Sequence, residues 1–266
     1  MNLNKVSPAI LTLLVVLIMQ GMGTAALLGF DILSHVSLFA IVLMLADVLA
    51  ILACWGLVHN IRFCTALDVS SVSWPHGMLA LSGGIFGAIG MTVLTDSVEV
   101  PDDMLQVSVE LSHNTWGILM LVVVGPIAEE LLFREAIAGE MLRRGATPWA
   151  AILVSSLSFS IVHLNFAQGI YALPLGALLG IIYCKTGNVV LSVLLHILNN
   201  GIVVLLMHLG DEDSAETSFA EWFGGMTIPY IIMVFSIVLC CTLMTAFWRR
   251  YTPAKTPHPA KNENLT

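Results

Sequence analysis

Three apolar stretches of this chain carry side chains that apolar stretches ordinarily exclude. The first, Thr115–Gly139, reads TWGILMLVVVGPIAEELLFREAIAG and embeds Glu129, Glu130 and Arg134. The second holds His163, four residues after Phe159, and the third holds His196, four residues before Asn200. An ionisable group in hydrocarbon costs several kcal/mol, so it persists where it pairs, lines a cavity or does chemistry. Carboxylates, imidazoles, a carboxamide and a guanidinium in neighbouring segments are the groups needed to activate water and to stabilise an oxyanion.

Helix geometry divides the charged run. Glu129 and Glu130 are adjacent, so they point about 100° apart and cannot share one role. Glu130 and Arg134 stand at i,i+4 with the acid on the N-terminal side, the favourable order for an ion pair. Glu129 is then left to face another helix, where a carboxylate can take a proton from water and later return it. The alternative is that both glutamates simply pair with Arg134, Lys185 or each other. Gly125-Pro126 just upstream frees backbone groups and lets a neighbour approach closely. Phe159 and His163 share one helix face, as do His196 and Asn200. Each histidine could equally be a satisfied structural residue, and His196 with Asn200 could ligate a metal, donate to an oxyanion or bond to a neighbouring helix. Glu129 lies about 14 residues from the outer end of its run, which is near mid-bilayer at about 1.5 Å per residue, whereas His163 comes out deeper in its own.

Hydrophobic residues make up 58% of the 266 and charged residues 11%, against about 25% charged in soluble domains. The chain reads as membrane domain plus short loops, with no polar block long enough for a soluble domain. Eight segments approach the roughly 20 apolar residues of a crossing helix: Pro8–Phe30, Val36–Val58, Trp74–Thr95, Thr115–Gly139, Pro148–Phe166, Ile170–Cys184, Asn188–Leu209 and Met226–Trp248. The expected fold is therefore all-α, a polytopic bundle of about eight transmembrane helices over residues 1–248, with the polar site in its core and a catalytic core at 115–209. The sixth segment is short and interrupted by Pro174, and is expected to be tilted, partial or re-entrant. The first continues apolar through Ala25–Phe30, which favours a retained span over a signal peptide. Gly83, Gly84, Gly87 and Gly90 are expected to allow close helix contact within the monomer.

The net charge of −8 is unevenly placed. Lys5, Arg62, Arg143, Arg144, Lys185, Arg249, Arg250, Lys255 and Lys261 all fall on one side of an eight-span chain. The opposite loops hold Asp31, then Asp96, Glu99, Asp102, Asp103 and Glu110, then Asp211, Glu212, Asp213, Glu216 and Glu221. The positive-inside rule puts both termini in the cytoplasm, and a seven-span chain would scramble this segregation. The acidic loops read as solvated; Asp211-Glu212-Asp213 lacks the spacing of a calcium loop. Residues 249–266 are expected to be a disordered cytoplasmic tail, its basic residues resting on anionic lipid. Cys54, Cys64, Cys184, Cys240 and Cys241 read as small membrane-core or interfacial side chains, with no disulfide framework or Cys metal cluster. Short loops suggest a bacterial inner-membrane protein, and no nucleic-acid partner is expected.

The three polar groups form ordered motifs. EELLFR (Glu129–Arg134) fits EExxxR, FSIVH (Phe159–His163) fits FxxxH and HILNN (His196–Asn200) fits HxxxN. On successive hydrophobic segments these resemble the CAAX-protease and bacteriocin-processing (CPBP, or Abi) intramembrane proteases, whose eukaryotic members, the type II CAAX prenyl endopeptidases, trim prenylated proteins. The resemblance covers Thr115–Leu209 without departure at a motif position, and it is specific for the family rather than for a substrate. It implies that Glu129 activates water with His163 as partner, and that His196 and Asn200 stabilise the oxyanion or complete the water site. Glu130 and Arg134 would support Glu129, with Phe159 among the supporting residues. Glu129, His163 and His196 could make a three-ligand open zinc site; the chain lacks HExxH, and a metal-free glutamate mechanism is equally compatible.

The leading expectation is an intramembrane endopeptidase that hydrolyses peptide bonds in a membrane-associated protein or peptide, of CAAX type or in bacteriocin and peptide processing. Its site would open toward the cytoplasmic half of the bilayer, and its partners would be that substrate and membrane lipid. The competing class is non-catalytic: bacteriocin self-immunity, a chaperone or scaffold, or a proton-coupled transporter. Transporters show matching interrupted segments in two related halves. Gly125-Pro126 and Pro174 make no such pair, which tilts the reading toward the enzyme.

Overall fold

In hydrocarbon a backbone must satisfy its own hydrogen bonds, and a helix does so within one segment. The computed structural model describes residues 3–25, 35–97, 104–209 and 219–251, and among these there are helices and no strand. Eight long helices make the bundle: α1 Leu3–Ala25, α2 Val36–Val58, α3 Trp74–Asp96, α4 Thr115–Arg143, α5 Pro148–Val162, α6 Phe166–Thr186, α7 Val190–Leu209 and α8 Thr227–Arg250. Six of them (α2, α3, α4, α6, α7 and α8) are long and apolar enough to cross a bilayer, while the apolar stretches Ala9–Gly23 and Pro148–Val162 are shorter. Ile228, Ile231, Val234, Phe235 and Val238 of α8 are exposed, as a lipid-facing stripe requires.

Several expected boundaries move, each for a local reason. The fifth segment stops at Val162 rather than Phe166, because Leu164 is left-handed (φ 50°) and Asn165 caps the next helix by accepting from the Gln168 N–H at 3.0 Å. That cap gives α6 a full 21 residues, so the sixth segment is neither short nor broken. Pro174 sits inside it, tolerated because α5 packs along the same helix. The eighth segment continues through Arg250, and Tyr251 is buried against Phe247 and His76. Residues 249–251 are thus not part of a disordered tail. The rest of that tail (252–266) lies outside the described residues, as do Asp31, Glu99, Asp102, Asp103, Asp211, Glu212, Asp213 and Glu216.

The helices pack where glycine removes the side chain. Gly83 of α3 meets Leu243 and Met244 of α8, Gly87 meets Cys240, and Gly90 meets Ile237, so this face is covered from within the chain. Gly117 is tighter still: a Cβ there would press on the backbone of Leu111, in the short helix Leu105–Ser112 that precedes α4. A carbonyl cannot rotate aside as a leucine tip can. Gly117→Ala is expected to destabilise the purified protein by about 1–3 kcal/mol, read as a lower thermal midpoint; an unchanged midpoint would show that the short helix can shift freely.

One end of the bundle is stitched by buried charge. Arg143 bonds Glu135 at 2.8 Å and Glu140 at 2.9 Å, and donates to the Asn60 carbonyl at 2.8 Å. Asn60 in turn donates to Thr12 Oγ1 at 2.7 Å and to the Ala136 carbonyl at 3.1 Å, tying α1 and α4 to the turn after α2. The Tyr183 hydroxyl donates to Glu135. Arg143 is therefore a buried member of the last turn of α4 rather than a residue of a basic loop.

Candidate active site

The site is built on α4, and a proline shapes that helix. Pro126 has no N–H and its ring crowds the preceding turn. The chain before it widens into a π-helical stretch, Leu119–Val124, in which the Gly125 N–H bonds the Met120 carbonyl five residues back. By the same step the Leu121 carbonyl would look to residue 126, where no donor exists. Asn200 of α7 supplies it, its Nδ2 donating to the Leu121 carbonyl at 2.9 Å. Asn200 thereby fastens α7 to α4, and its Oδ1 accepts from Asn199 Nδ2 at 3.0 Å. A second π-helical stretch, Glu130–Gly139, follows, and all ten of its residues are buried.

Glu130 and Arg134 form a fully buried ion pair, Oε2 to Nε 3.1 Å. The other Glu130 oxygen lies 3.0 Å from His196 Nδ1, which makes Nδ1 the protonated nitrogen. His196 Nε2 then faces Glu129 Oε2 at 3.5 Å, and Glu129 retains 23% side-chain exposure. The two adjacent glutamates therefore grip opposite edges of one imidazole.

Phe159 is the packing centre of this cluster. The Arg134 guanidinium stands over its ring, 4.6 Å from the centroid. His163 and His196 meet it edge-on at 4.9 and 5.6 Å, with interplanar angles of 90° and 88°. Arg134 also donates to the Gly176 carbonyl of α6 at 3.3 Å, where a Cβ on Gly176 would crowd Phe159 and Ser156. His163 is the C-cap of α5, not a mid-helix residue, and its Nδ1 bonds the Phe159 carbonyl at 2.7 Å. Nδ1 must donate to a carbonyl, so Nε2 is the nitrogen left for other partners. Because α4 runs on to Arg143, the turn joining α4 and α5 stands 14 residues past Glu129 and 15 residues before His163, so these two come out at similar depth and the expected mismatch between them is gone.

Glu129, Phe159, His163, His196 and Asn200 all line one cavity of about 650 Å³, while Glu130 and Arg134 lie buried behind it. The wall continues through Tyr171 to Thr95, Asp96, Met104 and Ser108. The cavity thus reaches the end of the bundle whose loops are acidic, not the end with the basic loops toward which it was expected to open. Three wall residues carry no motif signal. Asp47 of α2 is 7% exposed and accepts from Gln20 Nε2 of α1 at 3.4 Å. Tyr171 donates to Asn199 Oδ1 at 2.7 Å. An aspartate inside the apolar run Val36–Val58 is the same energetic anomaly as Glu129, and that criterion would have found Asp47.

Among the described residues no three His, Cys, Asp or Glu side chains converge as metal ligands. Glu129, His163 and His196 are neighbours in the cavity wall, and with Nδ1 of each imidazole committed to a carboxylate or a carbonyl, Nε2 is the second nitrogen of both rings. The five cysteines are free.

The family model for type II CAAX prenyl endopeptidase Rce1-like proteins matches residues 111–202, the stretch that holds all seven motif residues. The membrane-embedded CAAX protease MroQ of Staphylococcus aureus (strain USA300) is 31% identical over 100 residues, 36% of this chain and 40% of that protein. The candidate membrane peptidase YdiL of Bacillus subtilis (strain 168) is 29% identical over 106 residues, 36% of this chain and 43% of its own length. The chain thus spans less than half the length of these curated relatives. No solved structure matches it. Asp47 and Gln20 lie outside the matched stretch.

Proposed function

We propose that this chain, whose residues 111–202 match the type II CAAX prenyl endopeptidase Rce1-like family model, is an intramembrane endopeptidase acting on a membrane-associated protein or peptide. The observation that carries this reading is the convergence of Glu129, His163, His196 and Asn200 on one cavity inside an apolar bundle. The bacterial origin of both relatives and the basic residues at one end of the bundle support residence in a bacterial inner membrane, with both termini cytoplasmic. In that orientation the cavity opens toward the outer half of the bilayer.

The proposed reaction follows from which nitrogens and oxygens are committed. Glu130 holds the proton on His196 Nδ1, so Nε2 presents its lone pair to Glu129. Glu129 takes a proton from a water in the cavity, and His196 Nε2 shares that proton while the hydroxide attacks the peptide carbonyl. The proton then passes to the leaving amine. Charge developing on the carbonyl oxygen is met by the Asn200 N–H not used on Leu121, while His163, its Nδ1 proton held by the Phe159 carbonyl, presents the Nε2 lone pair to the attacking water. Arg134 keeps Glu130 ionised, and Phe159 fixes the planes of both imidazoles.

The test uses purified protein in lipid, a membrane-peptide extract as substrate and mass spectrometry of the released peptides. Glu129→Ala, His163→Ala and His196→Ala are each expected to lose cleavage, and full activity in all three overturns the mechanism. Since no step passes through a metal, wild-type activity is expected to survive dialysis against a chelator. Loss that zinc restores would return Glu129, His163 and His196 to the role of ligands.

A further inference from the structure

The cavity wall is acidic in a way the hydrolysis above does not use. Among the described residues it includes Asp47, Asp96 and Glu129 and no Lys or Arg. Arg134, the cation nearest the chemistry, is paired with Glu130 behind the wall. Asp47 is 7% exposed in an apolar helix, takes part in no ion pair among the described residues, and accepts one long hydrogen bond from an uncharged amide. Its helix packs against the Gly125–Glu129 stretch of α4, and both carboxylates line the same cavity. A carboxylate so placed is costly until something neutralises it. A cavity of about 650 Å³ has room for several residues of an extended peptide, and a wall of one charge sign raises the local concentration of the opposite sign.

Resting on the peptidase reading, we propose that this cavity selects a peptide with a lysine or arginine beside the bond to be cleaved, and that Asp47 is the counter-ion of that side chain. The ammonium or guanidinium replaces the missing partner of Asp47. A neutral side chain leaves Asp47 unpaired, and an acidic one is repelled, so the wall discriminates by rejection as well as attraction. Gln20 orients the Asp47 carboxylate from α1. Specificity would then come from the first two helices, outside the stretch shared with the relatives.

The probes are synthetic apolar peptides identical except for Lys, Arg, norleucine or Glu at one central position, presented in lipid nanodiscs. Binding is measured in the Glu129→Gln background, where turnover does not intervene. Lysine and arginine peptides are expected to bind at least about tenfold more tightly than the norleucine peptide, the cost of leaving one partner of a buried charge pair alone. Asp47→Asn is expected to erase that difference and Asp47→Glu to keep most of it. Equal affinity for the lysine and norleucine peptides, a lysine preference that survives Asp47→Asn, or binding of none of the four overturns the proposal. Cleavage by the protein with Glu129 intact separates the two readings. Glu129-dependent cleavage without lysine preference sinks the subsite alone, whereas Asp47-dependent binding without cleavage sinks the peptidase alone.

Discussion

Glu129→Gln is expected to lower peptide cleavage by about 10²- to 10⁴-fold, the range that a positioned general base contributes. The amide keeps the size of the carboxylate and still reaches His196, but it cannot take a proton from water. Folding should change little. Glu129 makes no ion pair with Arg134, it faces the cavity, and His196 remains held on its other edge by Glu130 at 3.0 Å. The effect should fall on kcat, with the thermal midpoint close to that of wild type. A loss of less than tenfold would move the base elsewhere, and Asp47 is a buried carboxylate on the same cavity wall.

The second large effect is on stability. Arg134→Met leaves Glu130, fully buried, without its cation. Breaking a buried pair by removing one partner costs about 3–5 kcal/mol, because the remaining charge has neither water nor a counter-ion. Arg134 also covers Phe159 and bonds the Gly176 carbonyl, so α5 and α6 lose a shared anchor. The single variant is expected to accumulate poorly and to unfold well below wild type in detergent. Pairing it with Glu130→Gln removes the orphaned charge, and most of the lost stability should return. If the double variant were no more stable than Arg134→Met, packing rather than charge would hold this turn together.

Much of the bundle is legible in the chain because hydrocarbon leaves few choices. Long apolar runs become helices, and an ion pair at i,i+4 such as Glu130–Arg134 can be read from spacing alone. Helix boundaries were harder where a short polar signal outweighs hydropathy. Asn165 starts α6 four residues before Ile170, and it also ends α5 in time to make His163 a C-cap. The π-helical stretches on either side of Gly125–Glu129 have no periodic signature, although Pro126 removes the donor that the Leu121 carbonyl needs. That is why Asn200, read as an oxyanion donor, also proves to be a fastening between helices. Arg143 is misread for a different reason. Arg143 at the end of a span counts as a basic loop residue until its buried partners are seen. Asp47 escapes because it matches no spacing pattern and its partner Gln20 is on another helix.

The central claim, that a peptide bond is hydrolysed inside the membrane by Glu129, is tested most directly in cells that carry either the wild-type chain or Glu129→Gln at equal abundance. Quantitative mass spectrometry of membrane-associated peptides and of newly formed peptide termini compares the two. A defined set of termini present with wild type and absent with Glu129→Gln, with the uncleaved precursors accumulating in the variant, is the predicted result. Identical termini and precursor levels in both, with any phenotype of the missing protein fully restored by Glu129→Gln, would contradict it and assign the protein a role in binding rather than cleavage.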